Sequence, residues 1–156
     1  MDLYTLLKVA HIVGAAVLLG SGAGIAFFML MAHRSRDPAV IAHTAGTVVL
    51  ADTLFTASAV VLQPLTGAAL AHLAGFPLLS GWIGLSLGLY VVTGLCWLPV
   101  VWIQIRLRDL ATAAAAAGAP LPDAYFRLFR VWFVLGFPAF GAVLGIVWLM
   151  VAKPAF

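Results

Sequence analysis

The chain has 156 residues, of which 65% are apolar and only 8% charged, and its mean hydropathy is +1.16. Soluble domains carry about 25% charged residues, so this composition excludes a soluble globular protein and describes an integral membrane one. A charge of +3 with a pI near 9.5 would direct a soluble protein toward nucleic acid; here the basic residues need only mark the cytoplasmic side, and no nucleic-acid partner is expected.

Four apolar stretches follow one another, near residues 3–31, 43–74, 82–107 and 126–151. Each exceeds the ~20 residues a spanning helix needs. They predict an all-α, four-helix integral membrane bundle, one transmembrane domain over 1–156 with the lipid bilayer as its surroundings. The first stretch carries Asp2 at its front and runs well beyond the apolar core of a signal peptide, about 7–15 residues, so it reads as a retained helix. Between the first and second stretches lies "HRSRDPAV", with Arg34, Arg36 and a proline, Pro38, suited to a first helical turn. Between the third and fourth lies "RLRDLATAAAAAGAPLPDAYFRLFR", with Arg106, Arg108, Arg127 and Arg130. Its alanine run favours helix and predicts an extension of the third span as far as "GAPLP". The connection "AGFPLLSG" is uncharged. Arginines at one end, against Lys8 and Lys153 at the other, predict a multi-pass protein of the bacterial inner (cytoplasmic) membrane with both termini periplasmic and both basic connections cytoplasmic.

Polar groups inside a membrane tend to face the bundle interior and are functional by default. On the first span, helical spacing of ~100° per residue places Tyr4, His11, Ala15, Leu18, Gly22 and His33 on one side, flanked by Lys8 and Gly14. On the second, His43 and His72 are 29 residues apart and hence nearly eclipsed on a regular helix. Two antiparallel helices then carry His11 and His72 near one end and His33 and His43 near the other. Axial imidazoles from two helices at similar depth, with glycines such as Gly14 and Gly22 nearby, are what a b-type haem requires. His11 and His72 are the candidate ligands of haem or of another metal; as tips at the headgroup level, histidines need no such role.

A second constellation lies on another side of the second span. Asp52, Thr56, Ala59, Gln63 and Thr66 align there, with Pro64 interrupting the backbone ladder beside Gln63. Ser86, Tyr90, Thr93, Trp97, Gln104 and Arg108 share a face of the third span and would complete a polar seam. Asp52 is the expensive member, protonated or paired, with Gln104 or a snorkelling Arg106 as its partner. Proton handling by Asp52 and Gln104 and a register-fixing hydrogen bond are both open readings. Trp82 and Trp148 suit the aromatic belt, whereas Trp97, Trp102 and Trp132 lie deeper, to line a cofactor or fill space. Gly20 with Gly24, and Gly141 with Gly145, form small-xxx-small patches that pack helices or bring copies of the chain together as a homo-oligomer. Cys96 has no partner cysteine, so neither a disulfide nor a cysteine metal site is expected.

"LKVAHIVGAAVLLG", "VVLQPLTG" and "GLCWLPVVWIQIRLRDLA", in that order over nearly the whole chain, resemble the bacterial family catalogued as domain of unknown function 2269, predicted integral membrane proteins with no activity attached. The first of these segments also resembles the opening helix of copper-resistance D type proteins and of J-type protoporphyrinogen oxidases. In the oxidases a K-x-x-H histidine is implicated in haem binding, and the matching positions are Lys8 and His11. That resemblance implies a haem b protein in electron transfer or oxidoreduction, with quinone or porphyrin in the seam. Two other readings stand beside it: a binding or transport protein that uses the seam around Asp52 for a small solute, a proton or copper, and a structural subunit of a membrane complex. No nucleophile with a base, paired carboxylates or phosphate loop is present, so an enzyme would borrow its chemistry from a cofactor.

Overall fold

The computed structural model describes residues 2–79 and 81–155. It contains four helices, α1 (Leu3–Ser35), α2 (Pro38–Leu73), α3 (Gly81–Ala116) and α4 (Asp123–Ala152), each long and apolar enough to cross a membrane. At 1.5 Å per residue, 30 to 36 residues give roughly 45–54 Å, well beyond the ~30 Å hydrocarbon layer. Much of the excess falls at the arginine end. There α1 continues past Met31 to Ser35, α2 begins at Pro38 instead of His43, and α3 runs on to Ala116. Arg34, Arg106, Arg108, Arg127 and Arg130 therefore ride on helical turns, and only Arg36 lies in a connection.

The ends are capped by the residues their chemistry favours. The Asp2 carboxylate accepts from the Thr5 backbone N–H at 2.7 Å, which holds this exposed carboxyl below its usual range. Arg36 closes α1 in the left-handed region, and Asp37 caps α2 by accepting from Ala39 N–H at 2.8 Å ahead of Pro38. The alanine run ends at Gly118, φ 59°, with Gly118 N–H on Ala115 O and Ala119 N–H on Ala114 O; only glycine takes that left-handed position without a Cβ penalty.

Neighbours in sequence are neighbours in space: α1 lies along α2, the first half of α2 along α3, and α3 along α4, whereas α1 and α4 barely meet. The core is concentrated at the arginine end, where Met29, Ile41, Ala45, Leu107, Ala111 and Tyr125 are fully buried and Phe129 and Trp132 nearly so. Toward the terminal end the packing loosens and a gap opens between α1 and α4.

One departure from regular geometry positions the candidate site. Asp52–Thr56 form a π turn in the middle of α2, with Ala57 N–H donating to Asp52 O. A π turn inserts one residue and rotates the remainder of the helix by about 100°. The first half of α2 thus faces both α1 and α3, and the second half lies against α1. The same rotation removes the eclipse that a regular helix predicts for His43 and His72.

Candidate functional site

Asp52 lies 14 residues, or roughly 21 Å, along α2 from Pro38, in the hydrocarbon layer. It is 4% exposed, and Gln104 across from it is 1% exposed. Trp97 Nε1–H donates to Asp52 Oδ1 at 3.3 Å. The Gln104 amide is oriented by its neighbours, since an indole can only donate and a carboxylate can only accept. Trp132 Nε1–H therefore donates to Gln104 Oε1 at 3.2 Å, and Gln104 Nε2 donates to Asp52 Oδ2 at 3.3 Å. Two donor-only indoles, Trp97 and Trp132, terminate the chain of hydrogen bonds and fix its direction: both Asp52 oxygens accept. Three helices contribute to the network, with Trp97 and Gln104 two turns apart on α3 and Trp132 on α4.

This network forms the polar floor of a cleft of about 640 Å³. Its walls are Leu18, Gly22, Ala23 and Ala26 of α1 and Phe133, Gly136, Phe137 and Phe140 of α4, with Thr56 and Thr93 beside the floor. Because α1 and α4 barely meet, the opening faces lipid. Small residues keep it open: a Cβ added at Gly22, Gly136 or Gly141 would meet nothing within 4 Å. The volume falls in the range of small-molecule sites, about 300–1,000 Å³.

The expected seam is thus realised in part. Asp52 pairs with Gln104, one of the two partners the sequence offers, and with Trp97, for which the sequence suggests only a lining or space-filling ring, while Arg106 has no part in it. Thr56 also reaches α1, where its hydroxyl is hydrogen-bonded to that of Ser21 at 3.0 Å. Gln63 and Thr66 do not face α3 at all: Gln63 Nε2 donates to His11 O at 2.8 Å, and Thr66 Oγ1 meets His11 Nδ1 at 2.8 Å. The π turn separates them from Asp52. Tyr90 reaches from α3 to α2, its hydroxyl donating to Val60 O. Val60 is four residues before Pro64, so this carbonyl is the one whose helical donor the proline removes.

His11 is a clasp between α1 and α2. Thr66 Oγ1 already donates its single proton within α2, to Leu62 O at 2.7 Å, so His11 Nδ1–H is the donor in their pair and Nε2 keeps a lone pair. The ring lies over Gly67, where an added Cβ would meet His11 Cε1 at 3.2 Å. His72 is exposed and six residues beyond Thr66, roughly 9 Å higher and about 120° around the helix. Neither histidine lines the cleft, and the two are not brought together. Lys8 is exposed, its ammonium 5.9 Å from the Tyr4 ring. Of the expected glycines, Gly22 lines the cleft and Gly14 passes under the Gln63 amide. At the arginine end His33 stacks on Phe129, centroids 3.6 Å apart, with Nδ1 3.3 Å from the Tyr125 hydroxyl. Among the described residues no cluster of three or more His, Cys, Asp or Glu gathers as a metal site.

Sequence reasoning missed the π turn, which no residue type announces, and the part played by Trp132. It also left the Tyr90 partner unassigned, although the position four before Pro64 was a usable signal.

No curated protein and no solved structure matches the chain, so the first-helix likeness at Lys8 and His11 brings no activity with it. The family model of predicted integral membrane proteins designated DUF2269 matches residues 5–154, and the chain belongs to that family.

Proposed function

We propose that this protein is a membrane binding or transport protein whose cleft takes a small apolar molecule with a polar head directly from the bilayer. One observation carries the reading: a buried, hydrogen-bond-oriented carboxylate, Asp52, lies in the floor of a largely apolar cleft that opens to lipid between α1 and α4. Ligand sites characteristically pair apolar walls with a few convergent polar groups, and ionisable groups within spans mark substrate or proton paths. On this reading the arginine-rich connections α1–α2 and α3–α4 lie in the cytoplasm and the termini on the other side of a bacterial inner membrane, as the excess of positive charge at that end favours. This reading displaces haem ligation, because the candidate axial pair His11 and His72 is divided between a helix clasp and an exposed turn.

The experiment is native mass spectrometry of the protein purified in mild detergent, with Gly22→Phe and His11→Ala beside it. A small apolar molecule retained by the unaltered protein and by His11→Ala, and lost from Gly22→Phe, is the expected result. Equal retention by Gly22→Phe would sink the reading.

A further inference from the structure

The Asp52 carboxylate has its hydrogen bonds but lacks a counter-charge. Trp97 and Gln104 each give one oxygen a neutral donor, which orients the carboxylate without neutralising it. Among the described residues the ion pair is Arg108–Asp109, which is solvent-exposed, and no lysine or arginine lines the cleft. The polarity of the network across α3 is that of a carboxylate's partners. The groups facing its two oxygens across α3, Trp97 Nε1–H and the Gln104 amide N–H, are donors that suit the ionised form, and the Thr56 hydroxyl one turn along α2 can donate to it as well, although it could also accept from the neutral acid. A buried charge without a partner is costly, so the element missing from the cleft is a positive charge.

The walls fit the same conclusion. Phe27, Trp97, Trp132, Phe133, Phe137 and Phe140 bring six aromatic rings to the cleft, and an aromatic face attracts cations through its quadrupole, most strongly where water is excluded. We infer that the ligand is a lipophilic cation, an apolar body whose ammonium- or phosphonium-type centre sits between the Asp52 carboxylate and the aromatic rings lining the cleft. The inference rests on the cleft reading above and names the class of molecule. A cation of this kind concentrates in the bilayer, which is where the opening between α1 and α4 leads.

The test is equilibrium dialysis of the detergent-solubilised protein against tetraphenylphosphonium and tetraphenylborate, two probes of matched shape and opposite charge, with neutral triphenylmethane as a third. Saturable binding of tetraphenylphosphonium, at least about tenfold tighter than of the borate or the neutral probe and weakened about tenfold by Asp52→Asn, is expected. Equal affinity for the three probes, with loss in Gly22→Phe, would overturn the cation inference and leave the cleft reading standing. No saturable binding of any probe, or binding indifferent to Gly22→Phe, would overturn both. Should Asp52→Asn fail to fold, the comparison of charges on the unaltered protein still decides. Full tetraphenylphosphonium affinity in a folded Asp52→Asn protein would refute the assignment.

Discussion

Tyr90 donates its hydroxyl proton to the Val60 carbonyl, the acceptor that Pro64 strips of its helical donor. A carbonyl without a partner in lipid costs several kcal/mol, and α3 supplies the partner from across the bundle. The bond also holds α3 to the second half of α2, where the two helices otherwise separate.

Tyr90→Phe is therefore expected to lower stability by about 1–3 kcal/mol, the cost of leaving a buried acceptor unsatisfied. Pro64→Ala restores a backbone N–H at the same carbonyl, so Tyr90→Phe should cost less in that background. A double-mutant cycle on thermal unfolding in detergent measures the coupling, and additive effects would refute it.

The Trp132–Gln104–Asp52–Trp97 chain behaves as a unit if the donors are oriented as the geometry has them. Gln104→Leu leaves both Trp132 Nε1–H and Asp52 Oδ2 without a partner, and a loss of about 2–5 kcal/mol is expected. Trp132→Phe removes only the terminal donor and should cost about 1–3 kcal/mol. Chemical denaturation of the solubilised protein ranks the two, and an equal or reversed ranking would contradict the network.

Glycine positions that look alike in sequence should respond differently. Gly22→Ala places its methyl in open space, and a change within about 0.5 kcal/mol is expected. Gly14→Ala displaces the Gln63 amide from His11 O and should cost about 1 kcal/mol. Gly84→Ala drives its Cβ to 2.8 Å from the Leu79 carbonyl carbon and oxygen. Backbone cannot yield as a side chain can, so this variant should be the least stable of the three. Melting temperatures read side by side check the order.

His11→Ala breaks the clasp to Thr66, with an expected loss of about 1–3 kcal/mol and no change in cleft occupancy. A visible absorption spectrum of the purified protein, before and after reduction, bears on the same residue. A Soret band abolished by His11→Ala would return the imidazole to a ligand's role and contradict the clasp.

At the start of α1, the Asp2 carboxylate caps the helix by accepting from Thr5 N–H. Its carboxyl is held below the usual value of 3.8, so the folded state binds the proton less readily than the unfolded chain. The cap's contribution is complete above that value and is lost as the pH falls below it. Amide exchange at Thr5 and Leu6 should accelerate in that acid range and, once corrected for intrinsic chemistry, stay constant above it.

Apolar run lengths and clustered arginines specify four spans and the common end of their basic turns, because the bilayer imposes both on any chain that crosses it. Gln104 as a partner of Asp52 was legible too, since on straight segments helical spacing fixes which side chains share a face and depth, whereas the Trp97 indole bond was not. Tertiary structure alone decided the rest. The π turn at Asp52–Thr56 rotates the second half of α2 and sends Gln63 and Thr66 to α1, so periodicity carried through Asp52 assigns them to the wrong neighbour. His11 and His72 part for the same reason. The cleft exists only because α1 and α4 diverge above the Met29, Leu107 and Tyr125 core. That separation depends on how three helix contacts add up, which no single span encodes.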